Sequence, residues 1–191
     1  MPAMSKVERA FCCGALWRTG TGAVVRSLPT ATLGHEVLEI GSGNGAVAER
    51  LARERREIMI TATDLDPVMV TAATARLAPV PNATVRTADA TALPFPDASF
   101  DSVLSALMLH HVIDWEAALA EVARVLRPGG VFVGYDLVRT PLATAIHRVD
   151  RSPFRLFSAD EFSSGCAAVG LRPAIATGLR GHVLRFDVRT A

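Results

Sequence analysis

Lysine is nearly missing from this chain: Lys6 stands alone against 19 arginines among 191 residues. With 31 alanines beside it, that bias is what GC-rich coding produces, so the arginine count carries no functional weight. Net charge is equally thin. Twenty basic side chains against 19 acidic ones give +1, which leaves no general electrostatic footprint for nucleic acid or an anionic membrane. The three cysteines have no paired spacing, since Cys12 and Cys13 are adjacent and Cys166 is distant. Neither a zinc knuckle nor a disulfide framework is expected, and a reducing, cytoplasmic setting is. No apolar run reaches the roughly 18 residues of a membrane-spanning helix. Lys6, Glu8 and Arg9 interrupt the apolar residues of Met1 to Trp17, so no signal peptide is expected there either.

What is present is a chain half hydrophobic, of a length that makes one domain with a sizeable core. It divides into an N-terminal cap segment, 1–34, and a domain over 35–191. Along that domain, runs that read as strands alternate with stretches of helical periodicity. Val37 to Ile40 precedes a glycine loop and the helically spaced Val47, Ala48, Leu51 and Ala52. Ile58 to Thr63 ends at Asp64, with Pro67 placed for the first turn of the next helix. Thr84 to Thr87 and Val103 to Leu107 are the third and fourth strands. Asp114 caps a helix whose apolar stripe, Trp115 to Leu126, is stopped at Pro128-Gly129-Gly130. Val131 to Tyr135 is a fifth strand, Pro141 to Val149 and Ala159 to Val169 are helices, and Ala174 to Val188 closes the chain as a hairpin. The pattern predicts an α/β fold: a Rossmann-like, doubly wound, mostly parallel seven-stranded sheet with a C-terminal antiparallel hairpin.

In such sheets ligands bind beyond the carboxyl ends of the strands, where the strand order reverses. The first strand ends in Glu39-Ile40-Gly41-Ser42-Gly43-Asn44-Gly45, glycines at alternate positions that admit a sharp turn and a close ligand. Read as Gly41, Gly43 and Ala46, the same stretch also fits the dinucleotide pattern, so the glycines alone do not choose the cofactor. Glu39 discriminates: an anion at the mouth of the loop suits a cofactor bearing an ammonium and a sulfonium better than a pyrophosphate. Asp64, at the end of the second strand, is placed to accept two ribose hydroxyls, which either cofactor offers. Asp89, followed by Ala90, can accept from an adenine amine or merely cap the next turn. His110 or His111, after the fourth strand, is placed to take a proton or to satisfy a carbonyl. Tyr135-Asp136 after the fifth is a second candidate for that task. Cys12, Cys13, Phe11 and Trp17 read as the packing face of a terminal helix, and His35, His147 and His182 as surface residues.

Four segments together, VLEIGSGNGAVAERLA, TATDLDPVMV, ADATALPFPDASFDSVLSALMLHHV and EVARVLRPGGVFVGYD, resemble the successive motifs of the class I S-adenosylmethionine-dependent methyltransferases, ubiquinone/menaquinone (type 11) branch. The resemblance covers about residues 35 to 137. It implies that Glu39, Gly41 and Gly43 hold the methionine part of S-adenosylmethionine, Asp64 the ribose, and Asp89 with Ala90 the adenine. Leu109 and His110 would lie near the methyl group. Ser42 and Asn44 within the loop and Leu65 after Asp64 complete the expected cofactor contacts, and His110 and Asp136 are the two separate candidates for a catalytic role.

The expected activity is methyl transfer from S-adenosylmethionine to a small-molecule or lipid-like acceptor, leaving S-adenosylhomocysteine. The chemistry asks for no metal, and no Asp/Asn cluster suggests one. Leu107-Met108-Leu109-His110 replaces the Asn/Asp-Pro-Pro-aromatic run of amino-directed DNA methyltransferases, so nucleic acid is not an expected partner. The sequence does not fix the oligomeric state, for which a homodimer is one option. The rival readings are an NAD-dependent oxidoreductase and a non-catalytic S-adenosylmethionine-binding regulator. The N-terminal segment, with Phe11, Leu16 and Trp17 on one helical face, is expected to lie over the methyl group as the roof of the acceptor site, with Leu137 to Ser158 as the source if Met1 to Gly20 proves dispensable.

Overall fold

The computed structural model describes Arg26, Leu28 and residues 30–150 and 153–190. Most of the expected cap segment, its cysteines and the Met1 to Gly20 roof therefore lie outside the described residues. Strands β1 (Glu36–Ile40), β2 (Met59–Asp64), β3 (Ala83–Thr87), β4 (Phe100–Ala106), β5 (Leu126–Leu137), β6 (Leu171–Gly178) and β7 (Val183–Thr190) form one sheet in the order β3-β2-β1-β4-β5-β7-β6. The first five run parallel, and β7 pairs antiparallel with both β5 and β6. The helices are α1 (Ala46–Glu54), α2 (Pro67–Leu77), α3 (Trp115–Val125), α4 (Pro141–Asp150) and α5 (Ala159–Ala168). This is the architecture that the alternating sequence pattern implies, and the strand order reverses between β1 and β4.

Both faces of the sheet are covered because its central strands are apolar at consecutive positions. Along β1, Val37 faces one core with Val47 and Leu51 of α1, whereas Leu38 and Ile40 face the other with Trp115 and Leu119 of α3. The same period of two splits Val103 from Leu104 and Phe132 from Val133. The N-terminal segment contributes Leu28 and Leu33 to the α1 side.

Local chemistry sets the helix starts. Asp66 accepts from the Val68 backbone N–H and Pro67 follows it, and Asp114 accepts from the Ala117 N–H. Ser158 and Glu161 form a capping box ahead of α5. β4 and β6 each begin three residues earlier than the sequence reading placed them, at Phe100 and Leu171, and the largest boundary difference is at β5: α3 ends at Val125, and β5 begins at Leu126, not at Val131. The tertiary reason is a pairing of Leu126 with Phe100 before the ladder resumes at Val131 with Ser102, so Pro128-Gly129-Gly130 lies in an irregularity of the strand. Among the described residues no helix is long and apolar enough to cross a membrane.

Candidate active site at the carboxyl ends of the strands

The turn after β1 packs closely against the segment that follows β4. Gly41 has φ +63, and a Cβ on it would fall 1.9 Å from Met108 Cγ. Only glycine serves there, on backbone and on space alike. Gly43 has φ +54 with nothing within 4 Å of its Cβ position, so the loop is open on that side. Ser42 N–H donates to Thr63 O at 2.8 Å, and the Thr63 hydroxyl donates to Glu39 O at 2.8 Å, which ties the loop to β2. The Arg76 guanidinium of α2 donates to Asn44 O at 2.8 Å and holds the other end of the loop. Asn44 is buried and its Oδ1 accepts from Ala46 N–H at 3.2 Å, a local capping role.

Two carboxylates face this loop. Glu39 is 1 % exposed, and no donor among the described residues reaches its Oε2. Burial pushes its carboxyl up to about 8, the Asp64 charge adds to the shift, and the Ala48 backbone N–H opposes it. Asp64 Oδ2 accepts from Gly43 N–H at 2.8 Å and Oδ1 from Asp66 N–H at 2.9 Å, so the carboxylate latches the glycine loop. Each oxygen retains acceptor capacity, since an ionised carboxylate takes about four hydrogen bonds. Burial raises the Asp64 carboxyl as well, against these backbone donors. Leu65 beside it is half-buried.

At the end of β3, Asp89 Oδ1 accepts from both the Thr91 N–H, at 2.9 Å, and its hydroxyl, at 2.8 Å, so Asp89 does cap its turn. Ala90 is buried next to it, and Ala88 N–H donates to Asp64 O at 3.1 Å, which places the β2 and β3 ends side by side. The LPFPD loop beyond is structural: Arg124 donates to the carbonyls of Phe95 and Leu93, and Glu121 accepts from Leu93 N–H.

The β4 and β5 ends carry the second half of the site. His110 Nδ1 hydrogen-bonds Asp136 Oδ1, with His110 2 % and Asp136 0 % exposed. Asp136 is fixed by the Leu137 N–H on Oδ1, at 2.6 Å, and the Met108 N–H on Oδ2, at 3.2 Å. Met108 thus reaches Asp136 with its backbone and Gly41 with its side chain, and one residue links the glycine loop to the His–Asp pair.

Three residues lie where the sequence reading did not place them in detail. Leu109 is fully buried in the core beside Leu38 and Trp115, in the short turn Leu109–His111 that also presents His110 to Asp136. Tyr135, offered jointly with Asp136, packs into the α1-side core, since consecutive strand residues face opposite ways. His147, expected on the surface, is 6 % exposed, its ring centroid 4.9 Å from that of His110 and 5.4 Å from that of His111. No sequence signal predicted this, as His147 lies on α4, far along the chain from the His pair. His35 is exposed as expected, and His182 is half-buried against the Thr140 hydroxyl.

A family model described as a methyltransferase domain matches residues 38–134. Among curated proteins, 27-O-demethylrifamycin SV methyltransferase of Amycolatopsis mediterranei is 35 % identical over 73 % of this chain and 55 % of its own length. The ubiquinone/menaquinone biosynthesis C-methyltransferase of Geobacter sulfurreducens is 38 % identical over 60 % of this chain and 47 % of its own. The chain thus spans about half the length of these curated relatives. Among solved structures, the [4+2]-cyclase SpnF shares the fold with a TM-score of 0.76 at 19 % identity, covering 91 % of this chain and 80 % of that one. With the glycine loop, the strand-end acids and the matched segment all in register, the chain belongs to the class I S-adenosylmethionine-dependent methyltransferases.

Proposed function

We propose that this chain transfers the methyl group of S-adenosylmethionine to a hydroxyl of a small-molecule or lipid-like acceptor, with His110 as general base oriented by Asp136. The observation that carries it is the buried His110–Asp136 pair, joined to the glycine loop through Met108. The residues present fit the cofactor. Glu39 offers to a ligand ammonium a buried oxygen that no donor among the described residues reaches, and Ser42 Oγ is buried with no partner among them either. Asp64 has acceptor capacity for ribose hydroxyls, and Asp89 with Ala90 borders the adenine position. S-adenosylmethionine supplies an electrophilic methyl carbon already activated by its sulfonium. The protein's tasks are to align the acceptor oxygen, exclude water and take one proton. His110 Nε2 would take the acceptor's O–H proton, while the bound donor would supply the methyl group and leave as neutral S-adenosylhomocysteine. Asp136, accepting from Nδ1–H, orients the imidazole and leaves Nε2 to face the acceptor.

A cytoplasmic, bacterial setting is supported by the unpaired cysteine spacing and by bacterial relatives, and the absence of a basic bias favours a small acceptor over nucleic acid. The Met1 to Gly20 segment remains the proposed roof of the acceptor site, and helix α4, which sets His147 beside the His110 ring, supports Leu137 to Ser158 as the alternative source. The test is a calorimetric titration with S-adenosylhomocysteine and NADH, followed by a metabolite screen with labelled methyl donor. Binding of S-adenosylhomocysteine but not NADH, with label transferred to an O–H compound, is the expected result. NADH binding alone overturns the cofactor, and binding without transfer to any hydroxyl overturns the reaction.

The two neighbouring acids of β2 separate binding from folding. Asp64→Ala is expected to weaken S-adenosylhomocysteine by at least about tenfold, since charge-assisted hydrogen bonds contribute about 1.5–3 kcal/mol. Asp66→Ala loses the cap on α2 and about 1 kcal/mol of stability, with affinity held within a few-fold because the Asp66 N–H still reaches Asp64. Thermal unfolding beside the same titration checks the pair, and equal losses of affinity in both variants contradict the assignment.

A further inference from the structure

We infer that His110, His111 and His147 form a binding site for one divalent transition-metal ion. One ligating nitrogen from each lies within 4.8 Å of the others. The ring centroids of His110 and His111 are 4.0 Å apart, and His147 closes the triangle from α4. Two features hold the rings in place before any ion arrives. Asp136 engages His110 Nδ1 and leaves Nε2 for an ion, the carboxylate–histidine arrangement by which protein metal sites orient an imidazole. Phe154 stacks on the His147 ring at 4.9 Å. His110 and His147 are buried while His111 is half-buried, so the cluster has an entry side. Three imidazoles without a bound carboxylate select Zn²⁺, Co²⁺, Ni²⁺ or Cu²⁺ over Mg²⁺ and Ca²⁺. They leave the fourth tetrahedral position open. Zn–N bonds of about 2.0–2.1 Å bring the nitrogens closer than 4.8 Å, so capture draws His147 and α4 toward the Leu109–His111 turn.

The functional consequence rests on the reading of His110 as base. An ion on Nε2 takes the lone pair that receives the acceptor's proton, so the loaded protein transfers methyl groups more slowly than the metal-free one. The binding itself needs no activity to be measured.

The experiment uses untagged, metal-free full chain titrated with Co²⁺ and then Zn²⁺. One Co²⁺ per chain with the intense visible absorption of a four-coordinate ion, displaced by one equivalent of Zn²⁺, is the expected result. His147→Ala and His111→Ala should each lower Zn²⁺ affinity by more than the 10–100-fold that loss of an outer partner costs. Both should keep S-adenosylhomocysteine affinity within a few-fold, which shows that they fold. A Co²⁺ spectrum that stays that of the hydrated ion, or undiminished Zn²⁺ affinity in either variant, overturns the site. Tight Zn²⁺ binding by a protein that fails to bind S-adenosylhomocysteine upholds the metal site and overturns the methyltransferase reading instead.

Discussion

His110→Asn is expected to lower kcat/KM for methyl transfer by about 10²–10⁴-fold, the range that general-base catalysis contributes, with S-adenosylhomocysteine affinity within a few-fold of wild type. Asparagine is the informative choice because its amide N–H₂ can occupy the place of His110 Nδ1 and keep the contact to Asp136 while deleting Nε2. The buried carboxylate then retains its Met108 and Leu137 donors, and the loss reads the missing base and not a collapsed turn. At about 1.36 kcal/mol per tenfold, it corresponds to about 2.7–5.4 kcal/mol in the transition state. Single-turnover rates on metal-free protein with an acceptor found by the screen measure it. An unchanged rate shows that the acceptor brings its own nucleophile and that the His–Asp pair is structural.

Glu39→Gln is expected to move stability and binding in opposite directions. In the folded protein burial and the neighbouring Asp64 hold the Glu39 carboxyl at about 8, against 4.5 for an ordinary glutamate. Between these values the native state binds a proton that the unfolded chain has released. Stability therefore falls as pH rises through that window, and the whole penalty is present above about 8. Asp64, whose carboxyl burial also raises, contributes to the same slope over its own range. Glu39→Gln removes the Glu39 part, so the variant unfolds at higher temperature than wild type at pH 8 and nearly together with it at pH 5.

A cofactor ammonium reverses the preference by favouring the carboxylate. Wild-type affinity for S-adenosylhomocysteine then rises toward pH 8, approaching tenfold per unit, with about one proton released per molecule bound at pH 6.5. The variant, lacking the charge, binds at least about tenfold more weakly at pH 8, as charged hydrogen bonds of about 1.5–3 kcal/mol imply. Melting temperatures across pH and calorimetry in two buffers of different ionisation enthalpy give both quantities. A variant as tight-binding as wild type would refute the placing of the ammonium at Glu39. The buried acid is thus a stability cost retained at the point where a cation is to be held.

Sequence alone determined the order of strands and helices, the parallel sheet with its closing antiparallel pair, and the acids at the strand ends. Each of these is a local property: a period of two or 3.6, a proline at a helix start, or a residue in the first positions after an apolar run.

Decided only in three dimensions were the contacts between ends of different elements. The His110–Asp136 bond joins residues 26 positions apart, and Met108 against Gly41 depends on β4 lying beside β1 in the sheet. The elevated Glu39 carboxyl exists because the fold buries it and brings Asp64 of the next strand near it, which residue type does not reveal. Leu109 went to the core and His110 to the site because one short turn set their directions. His147 joined two histidines of another loop because α4 folds back over the β4 and β5 ends. Periodicity reports which face of an element is buried; the partner across that face is set by long-range packing.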